Sequence, residues 1–323
     1  MSYISITVLI PCYNGAETIE RCFDAVLSQN YPKEYLKILC IDDGSIDDSF
    51  QIIKSIQEKY PERIKVIQQT NHGIAYTRQK LLENVATPYF IFCDADDYFL
   101  DDAINKLVKA SNNGGADAVV AKAYRISKRK HRRVWLLNSK LHKKMNTYKY
   151  LCNNIPILWN ILFKTQSVLN AGFKFKEGLN MSEDMCMLFY TFPKLKHLAI
   201  CRSKTYCFTQ SDNSVSDAKH ARYKNILPSI EQLEYFLSIS KDVDKKIINE
   251  FIFCTFSYIY SMLYILKWWY RWPPPSSDLV NQTYNKLYKL FDEYKIKISS
   301  PHAWQRKIFW HFFCKRKILK KYR

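Results

Sequence analysis

Within its first hundred residues the chain alternates short apolar runs with helix-period stretches, and few folds accommodate that order. The runs ISITVLI (4–10), LKILCID (36–42), RIKVIQ (63–68) and PYFIFCD (88–94) have strand length and little polar character, as expected for strands covered on both faces. Between the first two, Ile19, Cys22, Phe23, Val26 and Leu27 recur at helical spacing. A second helical stretch runs to about Tyr60 and a third to Leu82. The resulting βαβαβαβ order predicts an α/β fold with a mainly parallel sheet flanked by helices. Three of only seven glycines, Gly15, Gly44 and Gly73, each fall just after a strand. In such sheets ligands bind in the crevice at the carboxyl ends of the strands.

The polar residues delivered to that crevice are Tyr13, Asn14, Asp42, Asp43, Arg78 and the cluster Asp94, Ala95, Asp96, Asp97. So many carboxylates in one place require cations to offset their repulsion. Two acids separated by one residue at a strand end suit a divalent ion with oxygen ligands and a phosphate-bearing substrate. Neither G-x-G-x-x-G nor G-x-x-x-x-G-K-[ST] occurs, so the dinucleotide and P-loop readings lose support. What remains is a nucleotide whose diphosphate is neutralised by a metal ion.

The net charge of +19 resolves into two segments. Residues 122–149 carry eleven Lys/Arg and residues 301–323 carry eight, with no acid in either, leaving thirty basic against thirty acidic residues elsewhere. Local anionic partners follow, not a generally cationic, nucleic-acid-binding protein, and no nucleic-acid-binding module is recognisable. A metal-dependent nucleotidyltransferase would need a second acid-rich site or a basic phosphate loop, and neither is evident. Ten cysteines without a C-x-x-C pair read as reduced structural thiols, and the opening run lacks a leader pattern, so a cytoplasmic protein is expected. The uncharged run 251–266 has 16 residues, short of the roughly 20 that span a bilayer. It reads as a buried or membrane-surface helix.

VLIPCYNGAETIERCFDAVLSQNYP, ILCIDDGSIDDS, NHGIAYTRQ and FIFCDADD, in that order, resemble the successive motifs of family 2 glycosyltransferases of GT-A fold. LWNILFK (158–164), MSEDMCM (181–187) and YCFTQSDNSVS (206–216) resemble that family's downstream features. The resemblance implies a Rossmann-like GT-A catalytic domain over 1–215 and a helical, aromatic-rich, basic C-terminal region over 216–323. It implies inverting transfer from a nucleotide sugar, expected to be a UDP-sugar, to a glycan or polyisoprenoid-linked acceptor in surface-polysaccharide biosynthesis.

Residue by residue, the same resemblance makes Asp96 the ligand of Mn²⁺ or Mg²⁺ and turns Asp94 toward the ribose and metal. It places Pro11, Tyr13, Asn14 and Ala95 in the nucleotide-binding motifs and Arg78 near the base or diphosphate. It puts Asp42 or Asp43 on the base, without deciding between them. Asp184 becomes the catalytic base, Glu183 its orienting or acceptor-binding neighbour, and Trp159 an acceptor contact. His220 could add a metal ligand. Structural alternatives stand beside each: Asp97 as a cap of the following helix, Asp-Gly as a turn, Ser182 as an N-cap with acids in the first turn, Arg78 on a helix surface, Trp159 in the core. The segment AYRISKRKHRRVWLL reads as two strands joined by a turn, bordering the acceptor side or simply solvated. In the tail, Trp304, Ile308 and Phe312 share a face amid basic residues, a pattern of helices that lie on membranes. A peripheral position on the inner face of the cell membrane follows, the alternative being a helix packed on the catalytic domain.

Overall fold

A computed structural model describes residues 3–127, 132–137, 141, 146–153, 157–210, 223–260, 263 and 276–294. The chain divides into two compact units, Met1–Asp212 and Asn213–Arg323. The first is built on one sheet of nine strands among the described residues: β1 (Ile6–Cys12), β2 (Leu36–Asp42), β3 (Ile64–Gln68), β4 (Tyr89–Phe92), β5 (Tyr98–Phe99), β6 (Ala118–Ser127), β7 (Arg132–Leu137), β8 (Ile161–Lys164) and β9 (Leu198–Gln210). The order is β3-β2-β1-β4-β8-β6-β9-β5, with β7 paired to β6. Strands β1 to β4 are mutually parallel. Beyond β4 the sheet is mixed: β8 runs antiparallel to both β4 and β6, β9 parallel to β6, and β5 antiparallel to β9. The helices of this unit are α1 (Ile19–Leu27), α2 (Ser49–Lys59), α3 (Ile74–Asn84), α4 (Ala103–Ala110), α5 (Thr147–Asn153), α6 (Thr165–Ala171) and α7 (Glu183–Thr191).

The parallel half forms as the apolar runs require. All of β1 is buried, and α1 buries Ile19, Cys22, Phe23 and Val26 in one core with Val8, Ile10, Cys40 and Ile91. β1 continues through Pro11 although it is a central strand. Leu9 accepts the Cys93 N–H and Cys12 accepts the Asp43 N–H, so Pro11 faces the β4 side. Pairing with β4 ends at Leu9–Phe92, and the missing proline donor therefore leaves no ladder bond unmade. The basic segment contributes β6 and β7, an antiparallel pair as the sequence suggested. The cysteines with described side chains form no disulfides, and all but Cys254 are buried.

The second unit contains α8 (Ile226–Ile239), α9 (Lys245–Tyr260) and α10 (Ser277–Tyr294) among its described residues. Phe236 stacks on Phe251 at 4.0 Å and Phe256 on Phe291 at 5.3 Å between ring centroids, pinning the three helices through aromatic faces. The uncharged run supplies the last turns of α9, with Phe251, Ile252, Phe256 and Ile259 buried. No described helix is long and apolar enough to cross a membrane. His220 and the tail 301–323 lie outside the described residues.

Candidate active site

The carboxyl ends of β1 and β2 carry two loops that bond to each other. Asn14, at φ 51°, donates its N–H to Ser45 Oγ at 2.9 Å and accepts the Ile46 N–H on Oδ1 at 2.9 Å. Gly15 N–H reaches Ser49 Oγ at 2.8 Å, and Ala16 N–H reaches Asp47 Oδ2 at 3.1 Å. Asn14 thereby fixes the loop that leaves Tyr13 51% exposed at the rim.

Asp42 and Asp43 are both buried, with different surroundings. Asp43 Oδ1 accepts Gln69 Nε2 at 2.7 Å and the His72 N–H at 2.9 Å, while Oδ2 accepts the Gly73 N–H at 2.8 Å. It is committed to holding the β3–α3 loop. Asp42 Oδ2 accepts only the Ser45 N–H, at 3.4 Å, and its Oδ1 is buried without a partner. Gln69 Oε1 and Arg78 Nε are likewise buried and unpartnered. Buried polar atoms normally find partners, and leaving one unmade costs about 1–3 kcal/mol. The three atoms lie on Asp42 at the end of β2, on Gln69 just after β3 and on Arg78 in α3. Gln69 was not singled out by the sequence, because an isolated glutamine at a strand end carries no signal.

Beyond β4, Asp97 is fully buried, accepting the Thr209 N–H at 2.7 Å and the Tyr206 hydroxyl at 2.9 Å. Burial, then the charges of Asp96 and Asp94, push its carboxyl well above the usual range. This corrects the helix-cap reading of Asp97. The residue preceding α4 is Asp102, and Asp97 is a strut to β9. The Tyr206 hydroxyl also accepts the Asp94 N–H at 3.1 Å, and Arg21 donates to the Asp96 carbonyl at 2.6 Å. Asp94 and Asp96 therefore project from a loop braced on both sides, with Ala95 between them. Both acids are half-buried. Among the described residues no group of three or more His, Cys, Asp or Glu is placed to hold a metal ion. A pair of carboxylates suits an ion such as Mg²⁺ or Mn²⁺ that takes its remaining ligands from phosphate and water.

The acid pair of the MSEDM motif opens α7. Arg78, buried on α3, spans from one group to the other: Nη2 donates to Asp94 Oδ1 at 3.0 Å and Nη1 donates to Glu183 Oε1. Burial disfavours the Arg78 charge, but Asp94, Glu183 and Asp184 outweigh it and hold the guanidinium above its ordinary range. Arg78 is thus an interior residue and not a helix-surface one. Asp184, half-buried, accepts the Met185 N–H on Oδ1 at 2.7 Å. Desolvation first and the Glu183 charge second push it up to about 7, against the pull of Arg78. Trp159 is buried, stacked on Tyr206 at 4.7 Å and on Phe208 at 5.5 Å. Its ring braces the tyrosine that supports Asp94.

The sequence profile described as Glycosyl transferase family 2 matches residues 7–168, half the chain, and covers every element from β1 into α6. The chain belongs to glycosyl transferase family 2. It is 25% identical over 211 residues to a poly(ribitol-phosphate) beta-glucosyltransferase of Bacillus spizizenii, a match covering 64% of this chain but 32% of that protein's length. It is 26% identical over 254 residues to a processive diacylglycerol beta-glycosyltransferase of Mycoplasma genitalium, covering 72% of each. In fold it is similar to residues 1–349 of S. aureus TarS crystallised with UDP-GlcNAc, at TM-score 0.65 and 18% identity over 80% of both chains. The architecture is accordingly that of GT-A glycosyltransferases.

Proposed function

We propose that this family 2 protein is an inverting glycosyltransferase that moves a sugar from a UDP-sugar to a hydroxyl of a glycan or lipid-linked acceptor in the synthesis of a surface polymer. The observation that carries this reading is the Arg78 bridge. One buried guanidinium joins Asp94, on the nucleotide side, to Glu183 beside Asp184. A donor site and a candidate base are thereby held as one electrostatic unit. The relatives named as glucosyl- and glycosyltransferases support the reaction class, and the TarS complex supports a uridine nucleotide.

In this reading Asp42 offers its unpartnered Oδ1 to an N–H of the base or a hydroxyl of the ribose, with Tyr13 at the rim and Arg78 behind. Asp43 keeps the β3–α3 loop in place. Asp94 and Asp96 would hold Mn²⁺ or Mg²⁺, which supplies positive charge against the departing nucleoside diphosphate. Asp184 removes the acceptor hydroxyl's proton as that oxygen attacks C1. The C1–O bond to the diphosphate breaks with its electron pair leaving on the phosphate, and the anomeric centre inverts. Glu183, held by Arg78, keeps the base in place and keeps negative charge beside it, which favours its taking a proton. The basic tail 301–323 would bring the enzyme to an anionic membrane at the cytoplasmic face, where a lipid-linked acceptor resides.

The test is a panel of nucleotide sugars with Mn²⁺, scoring slow hydrolysis and transfer to lipid and oligosaccharide acceptors. Turnover of a UDP-sugar with inversion at C1 is expected. Absence of turnover with every nucleotide sugar would overturn the reading.

A further inference from the structure

α7 presents the acid pair, and within its own first turn the one side-chain bond described is the Met185 N–H to Asp184 Oδ1. The preceding residue, Ser182, sits at φ 60° and makes no side-chain cap bond. A helix start left so is normally held by other groups, and here they come from α3. One is Arg78, through Glu183. The other is Asn180, three residues ahead of Glu183, whose Oδ1 accepts the Ala75 N–H in the first turn of α3 at 3.1 Å. The fit is close. Gly73, at φ +84°, lies close against Asn180: a Cβ there would be 2.5 Å from its Nδ2 and 2.7 Å from its Oδ1, so the amide would have to move. Gly73 in turn gives its N–H to Asp43, so the surface against which Asn180 rests is itself tied to β2. Two further bonds hold the same segment: Phe175 N–H to Gln79 Oε1 at 2.9 Å, and His72 Nδ1 with Glu177 Oε1 at 2.6 Å.

We propose that Asn180, seated against Gly73, is a positioning residue for the acid pair, fixing where α7 begins and hence where Asp184 meets the acceptor hydroxyl. The inference rests on the functional reading above. It assigns to Asn180 no contact with substrate. Its side chain joins the nucleotide-side loop to the acceptor-side helix through α3, so loosening it changes the geometry of attack and leaves the base and diphosphate contacts of the donor alone. Misplacement of a reacting group by about 1 Å costs on the order of 10²-fold in rate.

The experiment compares the full chain with Asn180→Ala and Asn180→Asp, with Asp184→Asn as control. It measures kcat, the donor KM and UDP affinity by calorimetry. Asn180→Ala is expected to lose about 10- to 10²-fold in kcat while donor KM and UDP affinity hold. Asn180→Asp keeps an oxygen on the Ala75 N–H and adds a negative charge at a helix N-terminus, where it is favourable, so it should recover most of the loss. Wild-type kcat in Asn180→Ala, with Asp184→Asn inactive, overturns this inference and leaves the functional reading intact. A fall in UDP affinity parallel to kcat assigns Asn180 a merely structural part and also overturns it, as does an Asn180→Asp no better than Asn180→Ala. If Asp184→Asn transfers normally, the inference falls together with the reading on which it rests.

Discussion

Neighbouring charges decide what each acid can do. Asp184 is pushed up to about 7, by desolvation first, then by Glu183, against Arg78. A general base works only when deprotonated, so kcat/KM for the acceptor should rise with pH through a single ionisation near that value. A flat profile down to about pH 5 would contradict the assignment of Asp184 as base, whose unperturbed range is near 4. Asp184→Asn should lower kcat about 10²–10⁴-fold with nucleotide affinity unchanged. Its effect on stability has the opposite sign. A carboxyl whose folded pKa is raised binds its proton more tightly in the folded state, so its contribution to stability falls as pH climbs from about 4 to 7. Asp184→Asn removes that loss, and its Tm near pH 8 should equal or exceed that of the wild type. Should Asp184→Asn turn over normally while Glu183→Gln is dead, the base is Glu183. For Asp96, EDTA should abolish transfer and Mn²⁺ or Mg²⁺ restore it, with Asp96→Asn slower by on the order of 10²-fold. Full activity in EDTA would remove the metal. The sequence made these acids visible by clustering them at strand ends, but could not separate Asp42 from Asp43. Successive side chains on a strand point to opposite faces, and only the closed β3–α3 loop reveals that Asp43 is occupied by three donors while Asp42 keeps a free oxygen.

Elements show the same division between what local pattern reveals and what only tertiary pairing supplies. The four parallel strands were legible because each is a short apolar run, the first three followed by a turn and a helix, a local signal. The mixed half was not, since β8 has only four residues and joins β4 to β6 across a gap of dozens of positions. Nor does any local signal reveal that β9 pairs beside the Asp94–Asp97 loop, which is why Tyr206 and Arg21 carry no assigned role in the sequence although they brace the acids. β1 runs past the apolar run 4–10 for a related reason: proline ordinarily ends a strand, but here it faces a side where pairing has already stopped. From β9 the Tyr206 hydroxyl donates to the Asp97 carboxylate and accepts the Asp94 N–H, tying both ends of that loop to the strand. Tyr206→Phe deletes that link and strips a donor from a buried carboxyl, which costs about 1–3 kcal/mol. Urea unfolding should register that loss. Turnover should fall as well, because the loop bearing Asp94 loses its brace. A variant with unchanged urea midpoint and unchanged turnover would mean the strut carries nothing.

For the molecule as a whole, the distribution of charge argues for where it works. Outside 122–149 and 301–323 basic and acidic residues are equal in number, so attraction to an anionic surface must come from those segments. Each Lys or Arg near an anionic leaflet contributes about 1 kcal/mol, screened beyond a Debye length of about 8–10 Å at ordinary salt. The tail carries eight such charges together with Trp304, Ile308, Phe309 and Phe312. Half of them engaged would supply about 4 kcal/mol before any aromatic side chain enters the interface. No described helix is long and apolar enough to cross a bilayer; in the proposed reading the tail's affinity sets membrane residence, as a lipid-linked acceptor requires. The intact chain should sediment with vesicles containing anionic phospholipid at low salt and detach at high salt, while neutral vesicles leave it in solution. Deleting 301–323 should strongly weaken sedimentation, yet transfer to a short soluble acceptor should survive, since every proposed catalytic group lies in the first unit. If the intact chain ignores anionic vesicles, or the truncated chain unfolds, the tail is a packing element of the fold and the enzyme reaches its acceptor by another route.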